Sequence, residues 1–81
     1  MFFIATFYSH FGAIQFKRRA VGIRNPQLMP VPRRLSSSCG TCVRFEAEAD
    51  FNFIAKPWLD VEQVVYEAPE GYMCIYRAQD S

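Results

Sequence analysis

Cys39-Gly40-Thr41-Cys42 is the segment of this 81-residue chain best equipped for chemistry. It sets a thiol directly behind Ser36-Ser37-Ser38 and within six residues of Arg33, Arg34 and Arg44. A free cysteine titrates near about 8.5, and nearby cations or clustered backbone N–H groups lower this to about 3.5–7.5, producing the nucleophilic thiolate. Gly40 can let the backbone approach the sulfur closely, and the three serine hydroxyls are donors for a charged sulfur. The pair spacing opens two further chemistries. In a redox reading, Cys42 attacks a mixed disulfide on Cys39 and leaves an internal disulfide. In a metal reading, Cys39, Cys42, Cys74 and His10 supply the ligand count of a Cys3His zinc site, but with only one paired spacing, so no metal is expected. A C-x-x-C pair between a loop and a strand also lacks the strand-to-helix setting of a thioredoxin. His10 either sits at the surface beside a helix start or acts on the Cys39 proton. The plainest alternative is a serine-rich turn whose thiol is incidental.

These residues depend on the elements around them. Phe2 to Tyr8, aromatic and β-branched without Gly or Pro, reads as a buried first strand. Ser9 is a candidate N-cap for a helix over His10–Ala20, which places Ala13, Phe16 and Ala20 on one face and Lys17, Arg18 and Arg19 at the C-terminal end. Gly22 closes it. Gln27 to Pro32 must be extended, because each proline disfavours the α region for the residue before it and supplies no ladder donor. Arg33 to Gly40 shows no apolar period and reads as a loop. From Val43 to Ala55 the odd positions are apolar, a period of two that predicts a long or bent strand in which Val43 points inward and Cys42 outward. Trp58, Val61, Val64, Val65 and Ala68 follow helical spacing behind Pro57, predicting a second helix. Tyr72–Arg77 is a last strand with Cys74 expected in the core, and Ala78 to Ser81 a frayed tail. The order β-α-β-β-α-β predicts an α+β ferredoxin-like split β-α-β sandwich, a four-stranded antiparallel sheet with two helices on one face. That fold decides no function by itself.

Length leaves room for one domain over residues 1–81, and 51% hydrophobic with 21% charged residues is the composition of a globular protein. No apolar run approaches the roughly 20 residues of a spanning helix, so a cytoplasmic protein without membrane partners is expected. The net charge of +1 hides a division. Residues 1–45 carry seven cations and no acid, whereas residues 46–81 carry eight acids against Lys56 and Arg77. Either the first half faces something anionic, or the halves pair in the fold. Aromatics on a sheet beside a basic half suit RNA, but no RNP-type motif is present and no nucleic acid is expected. Gly-rich phosphate loops, paired catalytic carboxylates and a Ser-His-Asp set are absent from the sequence. No cofactor is implied.

Ala5-Thr6-Phe7-Tyr8-Ser9-His10 followed by a helix, then Leu28-Met29-Pro30-Val31-Pro32-Arg33-Arg34-Leu35-Ser36-Ser37-Ser38-Cys39-Gly40 and Arg44-Phe45, resembles the small selenium/sulfur carrier-like proteins. The likeness covers residues 3–46 and returns at Tyr72–Arg77. It implies that Cys39 holds a sulfur or selenium atom as a persulfide or selenopersulfide and passes it on, with Cys42 beside it. Arg33, Arg34, Ser36, Ser37, Ser38, Gly40, Arg44 and His10 would surround the atom. The implied partners are donor and acceptor proteins, and a carrier is expected rather than a turnover enzyme. The competing class is a non-catalytic ligand- or protein-binding module. Aromatic strands at Phe2–Tyr8 and Tyr72–Arg77, if at the sheet edges, would support a homodimer.

Overall fold

The computed structural model describes residues 1–54, 58 and 60–78. Its elements run β1 (Phe2–Phe7), α1 (His10–Arg19), β2 (Arg24–Pro30), β3 (Thr41–Glu46), β4 (Val61–Ala68) and β5 (Gly71–Arg77). The strands form one sheet in the order β2-β3-β1-β4-β5, with every neighbouring pair antiparallel. This replaces the ferredoxin-like expectation: the described residues contain one helix and five strands, not two helices and four strands.

The difference lies at β4. Val61 and Val64 are three apart and pack into the same cluster, which is what suggested a helix. A register shift produces the spacing in a strand: Thr6 pairs with Gln63 but Phe7 pairs with Val61, leaving Glu62 as an extra residue. A bulge of one residue reverses the alternation and sets positions i and i+3 on one face. Val65 then points to the opposite face, beside Ile4 and Cys42. The expected start of the second helix at Pro57 lies outside the described residues, as does most of the expected tail.

β1 is central, not an edge, and this corrects one of the two expected dimer surfaces; β5 is an edge strand, with Met73 and Ile75 exposed. β1 alternates between two buried faces. Phe3, Ala5 and Phe7 join Val43, Phe45, Val61 and Val64 under α1, whose Ala13 and Phe16 complete that core. Ser9 caps α1, its Oγ accepting the Gly12 N–H at 3.0 Å and donating to Asp60 at 2.6 Å, and Lys17, Arg18 and Arg19 occupy the last turn, where the helix dipole favours cations.

The long strand expected from Val43 to Ala55 stops at Glu46. Ala47 donates its N–H to Met1, and Phe51 donates back to the Glu48 carbonyl, a turn that ends the ladder. Alternation nevertheless persists: the Phe51 ring lies 5.1 Å from Phe3 in a tilted arrangement, and Phe53 lies 5.1 Å from Tyr76 and 6.3 Å from Phe16. The segment covers the helix side of the sheet where a second helix was expected. The two charge halves do meet, through Arg24 with Glu48 at 3.4 Å and Arg44 with Glu67 at 2.7 Å. No helix among the described residues is long and apolar enough to cross a membrane.

Candidate functional site

The loop from Val31 to Gly40 leaves β2 and re-enters at β3. Its base is closed by the Val31 N–H to Gly40 carbonyl bond at 3.1 Å, and its tip turns through Leu35 N–H to Pro32 carbonyl at 2.9 Å. Val31 and Leu35 lie against Ile4, Cys42 and Val65. The loop therefore folds back over the face of the sheet opposite the helix, and this buries Cys42 completely. Cys42 was expected outward because alternation predicts one wet face; here both faces of β3 are covered.

The serines tie this loop to the scaffold. The Ser37 hydroxyl donates to the Phe7 carbonyl at 3.2 Å. The Ser38 N–H and hydroxyl both donate to the Glu62 carboxylate, at 3.3 and 3.0 Å, and Thr6 donates to the same carboxylate at 3.3 Å. Gln63 donates to the Ser36 carbonyl at 3.2 Å. Glu62 and Gln63 are thus the residues that hold the loop, and the sequence reading missed them because it placed them on a helix. A hint was available in Thr6, a polar side chain in an otherwise apolar buried strand, which requires a partner. Gly40 has φ +76°, and a Cβ there would meet no atom within 4 Å, so the glycine serves backbone conformation rather than close approach.

Cys39 emerges at the end of this strap. It is half-buried, its thiol directed at the Thr41 carbonyl at 3.4 Å, and it touches the helix-side core. His10, exposed at the start of α1, has Nδ1 3.3 Å from the Thr41 hydroxyl. The structure thus brings His10, Ser38, Cys39, Gly40 and Thr41 to one end of the sheet. It does not bring Arg44 there. Arg44 makes a bidentate pair with Glu67 and stacks 4.0 Å over the Phe2 ring, and the hydrogen bond to Glu67 holds its guanidinium more firmly charged. Arg33 and Arg34 are exposed on the loop. Arg34 lies over the β4–β5 turn, 3.9 Å from where a Cβ on Gly71 would stand.

Burial pushes the Cys42 thiol up from 9.0 to about 11, with neighbouring Cys39 adding to the rise. At neutral pH Cys42 is a sealed, protonated thiol whose Sγ lies 3.7 Å from the Pro30 carbonyl. Cys74, expected in the core, is exposed on β5. It lies on the face opposite the helix, beyond the cover of the Val31–Gly40 loop. Among the described residues no three His, Cys, Asp or Glu side chains converge on a metal position, so the four zinc candidates are not gathered.

A pH effect follows from Cys42. Its folded pKa lies above the unfolded value, so between about pH 9 and 11 the unfolded chain releases the proton first and stability falls as pH rises. Two pKa units correspond to about 2–3 kcal/mol. Urea unfolding from pH 8 to 11 should show this loss, and Cys42→Ala should flatten it.

A family model described as "Putative Se/S carrier protein-like" matches residues 2–67. The match takes in β1 through most of β4 and stops short of β5. Neither the curated proteins nor the solved structures contain a match to this chain.

Proposed function

The chain belongs to the Se/S carrier protein-like family, and from that premise we propose that Cys39 is the atom-carrying thiol. One observation carries this reading: Cys39 is a half-exposed thiol on a loop tied down at both ends, while its C-x-x-C companion is buried and held protonated. The Cys39 thiolate attacks the outer sulfur or selenium of a donor's persulfide or selenopersulfide. The bond inside the donor breaks as the bond to Cys39 forms, and the donor leaves as a thiolate that takes up the proton lost by Cys39. Delivery is the same exchange onto an acceptor thiol. No net oxidation occurs, so no cofactor is needed.

The neighbouring groups divide the remaining work. Ser37 and Ser38 spend their hydroxyl protons on Phe7 and Glu62 and thereby fix the loop. Ser36 and Arg33, both exposed, are available to meet an anionic persulfide or the surface of a partner protein, and His10 Nδ1 lies 3.3 Å from the Thr41 hydroxyl at the same end of the sheet. Cys42, protonated and buried on the opposite face of the sheet, leaves a persulfide on Cys39 intact. Donor and acceptor are proteins of the same thiol chemistry, in a reducing compartment such as the cytoplasm.

A chase experiment tests the reading. Protein charged by a persulfide donor and freed of it should hand the atom to a small acceptor thiol and return to its starting mass. Protein that binds the donor without covalent uptake, or that ends as a disulfide with no atom delivered, would support the binding-module or redox reading instead.

A further inference from the structure

The face of the sheet opposite the helix is only partly covered by the Val31–Gly40 loop. Beyond Leu35 it opens into a cleft of about 420 Å³ toward β5, into which Arg34, Gln63, Glu70, Tyr72, Cys74 and Arg77 face. Two features distinguish it. First, Cys74 is an exposed thiol lining this shallow, open cleft, its Sγ 3.3 Å from the Tyr76 carbonyl. Second, Arg34 and Arg77 both line the cleft and neither has a carboxylate partner among the described residues; Arg77 reaches only the Gln63 side-chain oxygen, at 3.4 Å. Among the described residues, two guanidiniums stand against the single carboxylate of Glu70, and guanidiniums without a carboxylate partner in an open, partly apolar cleft suit a carboxylate ligand.

We propose that this cleft captures low-molecular-mass disulfides that carry carboxylates, Arg34 and Arg77 holding the carboxylate while Cys74 exchanges with the disulfide. The Cys74 thiolate attacks one sulfur, the ligand's S–S bond breaks, a mixed disulfide forms on Cys74, and the departing thiolate takes up the proton that Cys74 lost. The disulfide is the only co-reactant. A second cavity of about 120 Å³ shares Gln63 and Arg77 with the cleft and is lined by Ser36 and Glu62. Occupancy would therefore be felt at the anchor of the Cys39 loop through Gln63, which donates to Ser36. The site does not rest on the carrier reading, because it uses neither Cys39 nor Cys42 and lies partly on β5, beyond the family match.

The test uses full-length protein with Cys39→Ser, so that modification reports on Cys74. Dithiodipropionate supplies the carboxylates, and hydroxyethyl disulfide is its neutral counterpart; mixed-disulfide formation is followed by intact mass and peptide mapping. A charge-assisted contact at a solvent-reached site is worth up to about tenfold. Dithiodipropionate should therefore modify Cys74 about three- to tenfold faster at low salt. The advantage should shrink with salt and vanish in Arg34→Gln/Arg77→Gln, while Arg77→Lys keeps part of it. Equal rates for the two disulfides, or an advantage unchanged in the double variant with its fold intact by circular dichroism, would overturn the proposal.

Discussion

Cys39→Ser is expected to abolish chalcogen uptake, and Cys42→Ser to leave it close to wild type. The two thiols are three positions apart in the chain, yet their surroundings separate them. Cys39 is half-buried on the Val31–Gly40 loop, whereas Cys42 is sealed under Val31 and Leu35 with its thiol raised to about 11. At pH 7 a thiol at about 11 is ionised in only about one molecule in ten thousand, about a hundredfold less than at the unshifted 9.0. The greater nucleophilicity of the more basic thiolate recovers part of this deficit, leaving Cys42 roughly tenfold slower than an unshifted thiol before its burial is counted. Serine at position 42 retains a donor for the Pro30 carbonyl, and circular dichroism checks that the variant is folded. Uptake that persists in Cys39→Ser and fails in Cys42→Ser would reverse the assignment of the two residues.

Phe16→Ala should be the most damaging single truncation in the core. The Phe16 ring is 1% exposed and lies within 5.1–6.3 Å of the rings of Phe7, Phe45, Phe53 and Trp58. It joins α1 to the sheet on one side and to the segment after β3 on the other. Removing such a ring costs about 3–5 kcal/mol, because the lost contacts leave a cavity that the backbone cannot fill. A domain of this size holds roughly 4–12 kcal/mol in total. Thermal or urea unfolding should show that loss, and Phe16→Leu should recover much of it. A loss under about 1 kcal/mol would mean that the helix is not held through this ring.

The first half of the chain was legible because each element there announces itself locally. Ser9 with the apolar spacing of Ala13 and Phe16 specifies α1, and the prolines on either side of Leu28-Met29 specify an extended segment. The second half was not. β4 is buried on both faces and carries a bulge at Glu62, so Val61, Val64 and Val65 combine into a helical signature although the chain is extended. Alternation past Ala47 was real but belonged to an irregular segment, since Phe51 and Phe53 need only alternate burial, not a pairing strand. At the site, the loop and its thiol could be read from composition. The anchoring carboxylate of Glu62 could not, because its contact with Ser38 spans 24 residues and depends on the strand that was misread. The same error hid the cover over Cys42: only a loop folded back on the second face turns an outward position into a buried one.

If Cys39, on the loop before β3, is the carrier, the chain takes up one sulfur or selenium atom on that thiol. Intact mass of the reduced wild-type protein after exposure to a persulfide donor tests it most directly. Wild-type and Cys74→Ser protein should each gain one chalcogen atom, lose it to a reductant, and fail to gain it once Cys39→Ser is introduced. No gain from a competent donor, or a gain undiminished in Cys39→Ser, would contradict it.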